Sequence, residues 1–403
     1  MPRSHIITGI DIGTDSIKAL VAQKNQGDSG LEILDTVQAP SLGMRKGVVV
    51  NPEIVSENLQ NLAAQMKESL RKGIDGIYVN VGGNHLFVTS SQGLVSVSRA
   101  DQKISQEDIN RVIQAAEVLN LPLNNEILDT FPKEFIIDGQ KGIKEPLGMR
   151  GLRLEVEILA LCVFSPYLKN LTQAVLDSNF QINDVVFSPL AAAQAVLSPQ
   201  QKELGVALID IGAGTTSLAV FEEGDLIHTA VFPLGSINIT NDIAIGLRTE
   251  IDIAEKIKKE FGTCLLQKNK KKDKIKILQL KEPLMFSKKM LTEIIEARIV
   301  EILDLVNKDL KKISRQGLLP AGVVLTGGGA KLPKIVELTK KELKLPARIG
   351  VPKGISGIEQ DPALATVSGL ALRGAESDDD GHFSDIGKGV VAKIKKILKT
   401  FIP

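Results

Sequence analysis

Two short stretches of the sequence contain the residue types that a phosphate cradle needs. Residues 10–21 read IDIGTDSIKALV, and residues 209–220 read IDIGAGTTSLAV. In each, an apolar strand ends in Asp and Gly, a turn of small and hydroxyl residues follows, and a second apolar strand begins. Small residues leave backbone N–H groups free to point at phosphate oxygens. The pair therefore predicts two hairpins that hold a polyphosphate from both sides.

Charged side chains accompany both hairpins. Asp11 and Asp210 end the first strand of each, where carboxylate oxygens suit a Mg²⁺ ion that shares its coordination with phosphates. The alternative for each is a side chain that bonds its own turn. Lys18 either reaches the phosphates or is an exposed strand lysine. The remaining hairpin residues predicted to bind the ligand are Gly13, Thr14, Asp15, Ser16, Gly212, Gly214, Thr215 and Thr216.

A third stretch, GVVLTGGGA at residues 322–330, runs from an apolar strand into a glycine turn. Gly327, Gly328 and Gly329 would let the backbone lie flat against a ligand, although such a turn can also simply be flexible. The sequence has no G-x-x-x-x-G-K-S/T loop, which excludes a P-loop protein. No Rossmann G-x-G-x-x-G follows its strands.

The elements that must position these residues are predicted by the repeat itself. A chain of 403 residues is too long for one hydrophobic core, and the repeated hairpin predicts a duplicated α/β domain. An insertion is predicted at 84–162. Its residues 85–100 alternate like paired strands, a helix begins at Ser105 with a capping-box-like Asp108, and 131–163 has the pattern of strands.

The second half becomes helical after residue 232. Helical apolar spacing appears at 237–247, 250–261 and 288–313. The lysine-rich segment 267–276 between them is predicted to be a solvated loop, because a nucleic-acid site would need aromatic residues for stacking. Residues 361–372 are predicted to form an amphipathic helix, and the acidic residues 374–385 a flexible linker.

Composition narrows the class of protein. The net charge is +1, from 49 basic and 48 acidic residues, so no strong field is available to attract nucleic acid. Two cysteines indicate a reducing compartment without a disulfide framework. The four histidines are not spaced as metal ligands usually are, so no metal cluster is predicted from them. With no signal peptide and no stretch of about 18 apolar residues, a cytosolic location is expected.

The hairpins and the glycine turn together resemble the superfamily of actin, sugar kinases and heat-shock chaperone ATPases. The resemblance implies duplicated actin-like (ribonuclease H-like) domains that bind ATP with Mg²⁺ between them, with an adenosine turn at 325–330. Related members carry Ala-Glu-x-x-Lys on a helix beside the adenosine. Residues 254–258 read AEKIK here, so the resemblance implies that Glu255 and Lys258 contact the ribose or base.

Other stretches are similar to the FtsA family of bacterial cell-division proteins in particular. They are SLGMRKGVV at 41–49, FIIDGQKGIKEPLGMRGLRLEVEI at 135–158 and IIEARIVEIL at 294–303. The resemblance implies a protein that assembles into filaments on the inner membrane and anchors FtsZ filaments at the division septum beside other division proteins. It implies at most slow ATP hydrolysis, because Ser188 stands where related chaperone ATPases commonly carry a carboxylate.

A partner residue and a domain plan follow from the same resemblance. Arg298, as an exposed arginine, would anchor the acidic C-terminal tail of FtsZ, or else pair with Glu301 on its own helix. The implied parts are a first core (1–83 and 163–205, with 353–373 returning), the FtsA-type insertion (84–162), a second core (206–231 and 314–352), a helical subdomain (232–313), the linker (374–385) and a C-terminal segment (386–403). Two alternatives are a PilM-like type IV pilus assembly protein, which predicts no membrane-binding C-terminal helix, and a small-molecule kinase, for which no substrate-side base is evident.

The C-terminal segment has an amphipathic pattern of its own. Residues 386–402 read IGKGVVAKIKKILKTFI, and at 100° per residue their large apolar side chains fall within an arc of roughly 160°. A helix of about 25 Å is too short and too charged to span a bilayer, but it fits the surface of an anionic membrane. The alternative is a helix packed on the protein's own core. The residues predicted to meet the membrane are Val390, Ile394, Ile397, Leu398 and Phe401 with Lys395 and Lys399.

Overall fold

The computed structural model describes residues 5–24, 30–70, 74, 76–266, 274–277 and 284–379. The chain begins with a sheet and one long helix: β1 (His5–Ile12), β2 (Ser16–Lys24), β3 (Leu31–Pro40), β4 (Met44–Arg45), β5 (Val48–Val49), α1 (Pro52–Leu70) and β6 (Ile77–Val81). Strands β1 and β6 are buried at almost every residue. This is the pattern of central strands covered on both faces.

The inserted subdomain follows directly: β7 (Phe87–Ser96), α2 (Gln106–Ala116), β8 (Asn125–Ile137), β9 (Gln140–Ile143) and β10 (Arg153–Phe164). Its sheet has the order β7-β10-β8-β9, and α2 packs on β7 and β10. The capping box of Ser105 and Asp108 is confirmed. The prediction of paired strands within 85–100 is wrong, because this stretch forms the single strand β7, whose partner β10 comes about sixty residues later.

The remaining elements complete both halves of the molecule. They are α3 (Ser165–Asp177), β11 (Ile182–Phe187), α4 (Ser188–Val196), α5 (Pro199–Leu204), β12 (Val206–Ile211), β13 (Thr216–Glu222), β14 (Asp225–Phe232), α6 (Ser236–Leu247), α7 (Ile251–Phe261), β15 (Lys274–Ile277), β16 (Leu284–Ser287), α8 (Lys288–Lys312), β17 (Val323–Thr326), α9 (Ile335–Leu343), β18 (Ala347–Ile349), β19 (Ile355–Ser356) and α10 (Ala365–Asp379). Short 3₁₀ turns lie at Gly328–Lys331 and Pro362–Leu364.

The two large sheets repeat one topology, which confirms the predicted duplication. In the first half the order is β11-β6-β1-β2-β3, and in the second it is β18-β17-β12-β13-β14. In both, three antiparallel strands are followed by two parallel ones. Strand β19 adds to β3, and α10 packs on β1 and α4. The end of the described chain therefore returns to the first half.

The helical predictions for the second half are confirmed by α6, α7 and α8, but two loop predictions need correction. Residues 274–276 of the lysine-rich segment belong to strand β15, which pairs with β16. Residues 374–379 of the predicted linker continue α10, whose packing on β1 and α4 extends the helix beyond the predicted end at residue 372. The predicted membrane helix at 386–403 lies outside the described residues.

Each half has its own apolar core. The first is built around β1, β6, α1 and α3, and the second around β12, β17, α6 and α8. A third cluster fills the inserted subdomain between α2 and its sheet. Among the described helices, none combines the length and the apolar character needed to cross a bilayer.

A half-buried histidine, His85, with both ring nitrogens buried, lies where β6 leads into the inserted subdomain. His85 packs edge-to-face on Tyr167, with ring centroids 5.0 Å apart. Neither of its ring nitrogens has a hydrogen-bond partner within the described part of the chain. Burial lowers the pKa of His85 to about 4, so the folded protein holds this ring neutral.

We predict that His85 makes the fold sensitive to acid. A histidine in the unfolded chain has a pKa of about 6.5. The part of the unfolding free energy that depends on a neutral His85 is therefore fully present above that pH and is lost as the pH falls toward 4. The loss amounts to at most about 3 kcal/mol, since each pKa unit corresponds to about 1.4 kcal/mol. Urea unfolding at pH 7 and pH 4.5 would measure it. His85→Phe, which keeps the contact with Tyr167, should lose less stability on acidification than the parent, and equal losses would contradict the assignment.

Candidate nucleotide site

A cleft of about 560 Å³ separates the two halves. This volume lies within the range of small-molecule sites. Both hairpins and the glycine turn line it, as the sequence predicted. The predicted residues that line the cleft are Asp11, Gly13, Thr14, Asp15, Ser16, Lys18, Asp210, Gly212, Thr215, Glu255, Lys258, Gly327, Gly328 and Gly329.

The two hairpin turns are closed by the same backbone bond. Gly13 N–H donates to the Ser16 carbonyl at 3.1 Å, and Gly212 N–H donates to the Thr215 carbonyl at 2.9 Å. A Cβ on Gly13 would lie 2.8 Å from the Ser16 oxygen, so the turn accepts only glycine there. The equivalent bonds give both halves the same turn at the same edge of their sheets.

Two predicted residues do not line the cleft. Thr216 is fully buried, and its hydroxyl donates to the Leu234 carbonyl at 2.8 Å. Successive strand residues point to opposite faces, so Ser217 lines the cleft while Thr216 holds the chain that leads into α6. Gly214 is also buried, because it packs against Thr14 of the other turn.

The two predicted metal ligands have different surroundings. Asp11 accepts hydrogen bonds from the Asn80 side-chain amide at 2.8 Å and from the Lys18 ammonium at 3.3 Å. Asp210 receives only a 3.4 Å bond from the Thr366 hydroxyl among the described hydrogen bonds. Burial and the nearby Asp11 carboxylate raise the pKa of Asp210 to about 6.

This donor set fits a divalent cation that is shared with a polyphosphate. Two carboxylates from opposite walls repel each other, and a bound cation would relieve that repulsion. In the part of the chain that the structure describes, no group of three or more His, Cys, Asp or Glu side chains converges on one point. A Mg²⁺ ion would therefore need phosphate oxygens or waters as further ligands.

The Glu and Lys of the Ala-Glu-x-x-Lys sequence also line the cleft, where they form a hydrogen-bonded group. The buried Lys258 ammonium donates to Thr240 Oγ1 at 2.8 Å and to the Ser236 carbonyl at 3.1 Å, and pairs with Glu255 at 2.7 Å. Burial lowers the pKa of Lys258. Although burial opposes the charge of Glu255, hydrogen bonds from Lys258 and Thr240 lower its pKa.

The three glycines of the turn differ in the space around them. Gly327 has a φ of 81°, and a Cβ there would collide with Asp210; a Cβ on Gly329 would collide with Ile211. A Cβ on Gly328 would meet no atom within 4 Å. Gly328 is exposed and lines the cleft, so its missing side chain leaves room in the cleft itself.

Several cleft residues escaped the sequence analysis. Asn80, Thr366 and the ion pair of Lys331 with Asp361 at 2.6 Å all line it. Asn80 is the single amide in the apolar strand β6, which is the one sequence signal that marks it. Ser188, noted only as a replaced carboxylate, donates to the Val81 carbonyl at 2.9 Å at the start of α4.

The predicted partner contact, Arg298, is not the exposed arginine that we expected. Its guanidinium donates two bonds to Asp242 of α6, at 2.7 and 2.9 Å, and also contacts Glu301. The Arg298 side chain is 22% exposed. The packing of α6 on α8 brings Asp242 beside it, which spacing along one helix cannot reveal. The bonds to Asp242 raise the pKa of Arg298.

Comparison with known proteins gives one consistent result from the sequence. Residues 207–369 match the family model described as "Cell division protein FtsA", and residues 83–162 match "SHS2 domain inserted in FTSA". The Cell division protein FtsA of Pseudomonas aeruginosa is 35% identical over 93% of this chain and 91% of its own length. That of Bacillus subtilis is 36% identical over 92% of this chain and 83% of its own length.

Solved structures of lower identity share the fold. The PilM-PilN type IV pilus biogenesis complex has a TM-score of 0.66 at 17% identity, covering 91% of this chain and 98% of that chain. MreB5 of Spiroplasma citri bound to ADP has a TM-score of 0.57 at 14% identity, covering 94% and 99%. At these identities the likeness shows an actin-like fold alone, so the pilus alternative gains no support from it.

We predict that Gly328→Trp blocks the cleft without disturbing the fold. A large side chain that takes up space needed by the ligand costs about 1–3 kcal/mol of binding free energy, which corresponds to about a 5- to 150-fold loss of affinity. Isothermal titration with ATP and Mg²⁺ would measure the loss, and the melting temperature should stay near that of the parent. Gly328→Ala is the matched control and should bind like the parent. Undiminished ATP binding by Gly328→Trp would refute the placement of the ligand.

Proposed function

The chain belongs to the FtsA family of cell-division proteins, and on that premise we propose that it binds ATP with Mg²⁺ and anchors FtsZ filaments to the inner membrane. The observation that supports nucleotide binding best is the pair of identically closed turns on opposite walls of one cleft. The N–H groups of Gly13 and Gly212 close the turns. The backbone N–H groups of residues 14–16, Ala213 and Thr215, which line the cleft, would bind the phosphates. Asp11 and Asp210 would hold the metal.

The described cleft supports binding better than catalysis. A bound Mg²⁺ would neutralise phosphate charge between the two walls. Ser188 donates its hydroxyl proton to the Val81 carbonyl and accepts a bond from Asn80. A serine at this position supplies no carboxylate that could orient an attacking water. We propose at most slow ATP hydrolysis. Rapid ATP turnover would contradict this part of the proposed function.

Membrane attachment is proposed from the sequence of residues 386–403. The favourable terms are the burial of apolar side chains and about 1 kcal/mol for each lysine near an anionic surface. The opposing term is the backbone entropy lost when the helix forms. These terms are of similar size, so one copy should bind weakly and reversibly. Firm attachment would need many copies on one filament.

Self-assembly into filaments is a further part of the proposed function. Filaments would form through the two halves and the inserted subdomain, as the FtsA resemblance and the actin-like fold suggest. Assembly would then link ATP binding to membrane attachment. Lipid-bound protein that stayed monomeric with ATP at high surface density would contradict it.

We predict that deleting residues 386–403 releases the protein from anionic vesicles without affecting ATP binding. Ile394→Asp combined with Leu398→Asp should do the same, because each loses an apolar side chain whose burial contributes about 1.5–3 kcal/mol. Co-sedimentation with vesicles and with FtsZ in the presence of ATP would measure it. Lys393→Arg keeps the charge of the polar face and serves as control. Equal sedimentation of the truncated and full chains would place the anchor elsewhere.

The FtsZ tail is proposed to bind the surface formed by α6, α7 and α8. Large apolar side chains are exposed there: Ile245 at 77%, Ile251 at 60% and Met290 at 41%. Arg298 lies on the same helix as Met290. An amphipathic peptide docks through exposed apolar side chains and through charges that match its own. The exposed Glu301 could exchange for an acidic residue of the tail, while Asp242 keeps the guanidinium in place.

We predict that Arg298→Glu weakens binding of an FtsZ-tail peptide by about 10-fold, the loss of one charged hydrogen bond. It should also lower the melting temperature, because three carboxylates would then meet. The double variant Arg298→Asp with Asp242→Arg restores the internal pair and should recover stability but not tail affinity. Fluorescence anisotropy and thermal melts separate the two effects. Recovery of both would mean that Arg298 has only a structural role.

A further inference from the structure

Asn80 joins three elements at the wall of the cleft. It is buried in β6, and its side-chain oxygen accepts the Ile12 N–H of β1 at 2.7 Å. Its nitrogen donates to Asp11 Oδ1 at 2.8 Å and to Ser188 Oγ at 3.1 Å. The side chain therefore ties the end of β1 and the start of α4 to the strand between them.

The orientation of this amide is determined by its partners. The Ile12 N–H can only donate, so the oxygen of Asn80 must face it, and the two N–H bonds must point at Asp11 and Ser188. Ser188 donates its own proton to the Val81 carbonyl, so it accepts from Asn80. Both donors of Asn80 are thus committed, and none remains for a ligand in the cleft.

We propose that Asn80 is a positioning residue that orients the Asp11 carboxylate toward a divalent cation. This inference rests on the proposed binding of ATP with Mg²⁺. Asn80 holds Oδ1 and Lys18 holds Oδ2, so the carboxylate is fixed at both oxygens. A partner that orients a metal ligand typically contributes 10- to 100-fold to metal affinity.

Two variants separate this role from support of the fold. Asn80→Leu keeps the approximate size of the side chain but removes the donors that hold Asp11 and Ser188, without adding a charge. Asn80→Ala removes every contact of the amide. Asn58→Leu is the matched control, because Asn58 donates to the Leu42 carbonyl and does not line the cleft. Melting temperatures identify any variant that fails to fold.

The experiment titrates Mg²⁺ at a fixed ATP concentration and measures ATP binding, with a parallel series in EDTA. We expect both Asn80 variants to need about 10- to 100-fold more Mg²⁺ than the parent. Their ATP affinity in EDTA should match that of the parent, and excess Mg²⁺ should restore binding. The Asn58→Leu control should follow the parent throughout.

The other outcomes are equally informative. An unchanged Mg²⁺ requirement in a folded Asn80 variant would overturn the positioning role while leaving the proposed function intact. An equal loss of ATP affinity with and without Mg²⁺ would also overturn it, because Asn80 would then support only the shape of the cleft. A parent protein that binds no ATP would overturn both the proposed function and this inference.

Discussion

The close approach of the two hairpin turns is the constraint on which the site depends. A Cβ on Gly214 would lie 2.9 Å from Thr14 Oγ1 and 3.1 Å from Lys46 Cα. Thr14 accepts the Gly47 N–H at 3.0 Å, so the first turn is held against the neighbouring loop. Gly214 occupies this contact, and the cleft lies beside it, lined by the remaining residues of both turns. Two sheets of the same topology are what bring two equal turns to this position.

The duplicated halves are not equivalent in their electrostatics. Asp11 is fixed by an amide and an ammonium, whereas Asp210 has one long bond to Thr366 and a pKa raised to about 6. Gly327 packs against Asp210 with a positive φ, which leaves little space on that side. The first half thus presents a carboxylate held by two hydrogen bonds, and the second presents one whose charged form is disfavoured by burial and by Asp11.

The sequence predicted what local patterns determine and missed what distant contacts determine. The hairpins, the Ser105 cap and α6 to α8 depend on residues within a few positions of each other, so their signals are visible in one stretch. Asn80 is 69 positions from Asp11, and Arg298 is 56 from Asp242. Thr216 belongs to the predicted run of small residues, but strand alternation turns it away from the cleft.

The return of the chain through α10 connects the cleft to the end of the described residues. Thr366 in the first turn of α10 donates to Asp210 of the second half. Gly369 lies so close to Ala191 that a Cβ there would overlap the α4 backbone, and α4 itself begins at Ser188 in the cleft wall. Near the other end of α10, the Lys24 ammonium donates to the Ala375 carbonyl at 2.9 Å. Helices packed this closely leave no void between them. The residues that face the proposed nucleotide and the helix that leads toward the proposed membrane segment therefore belong to one packed unit.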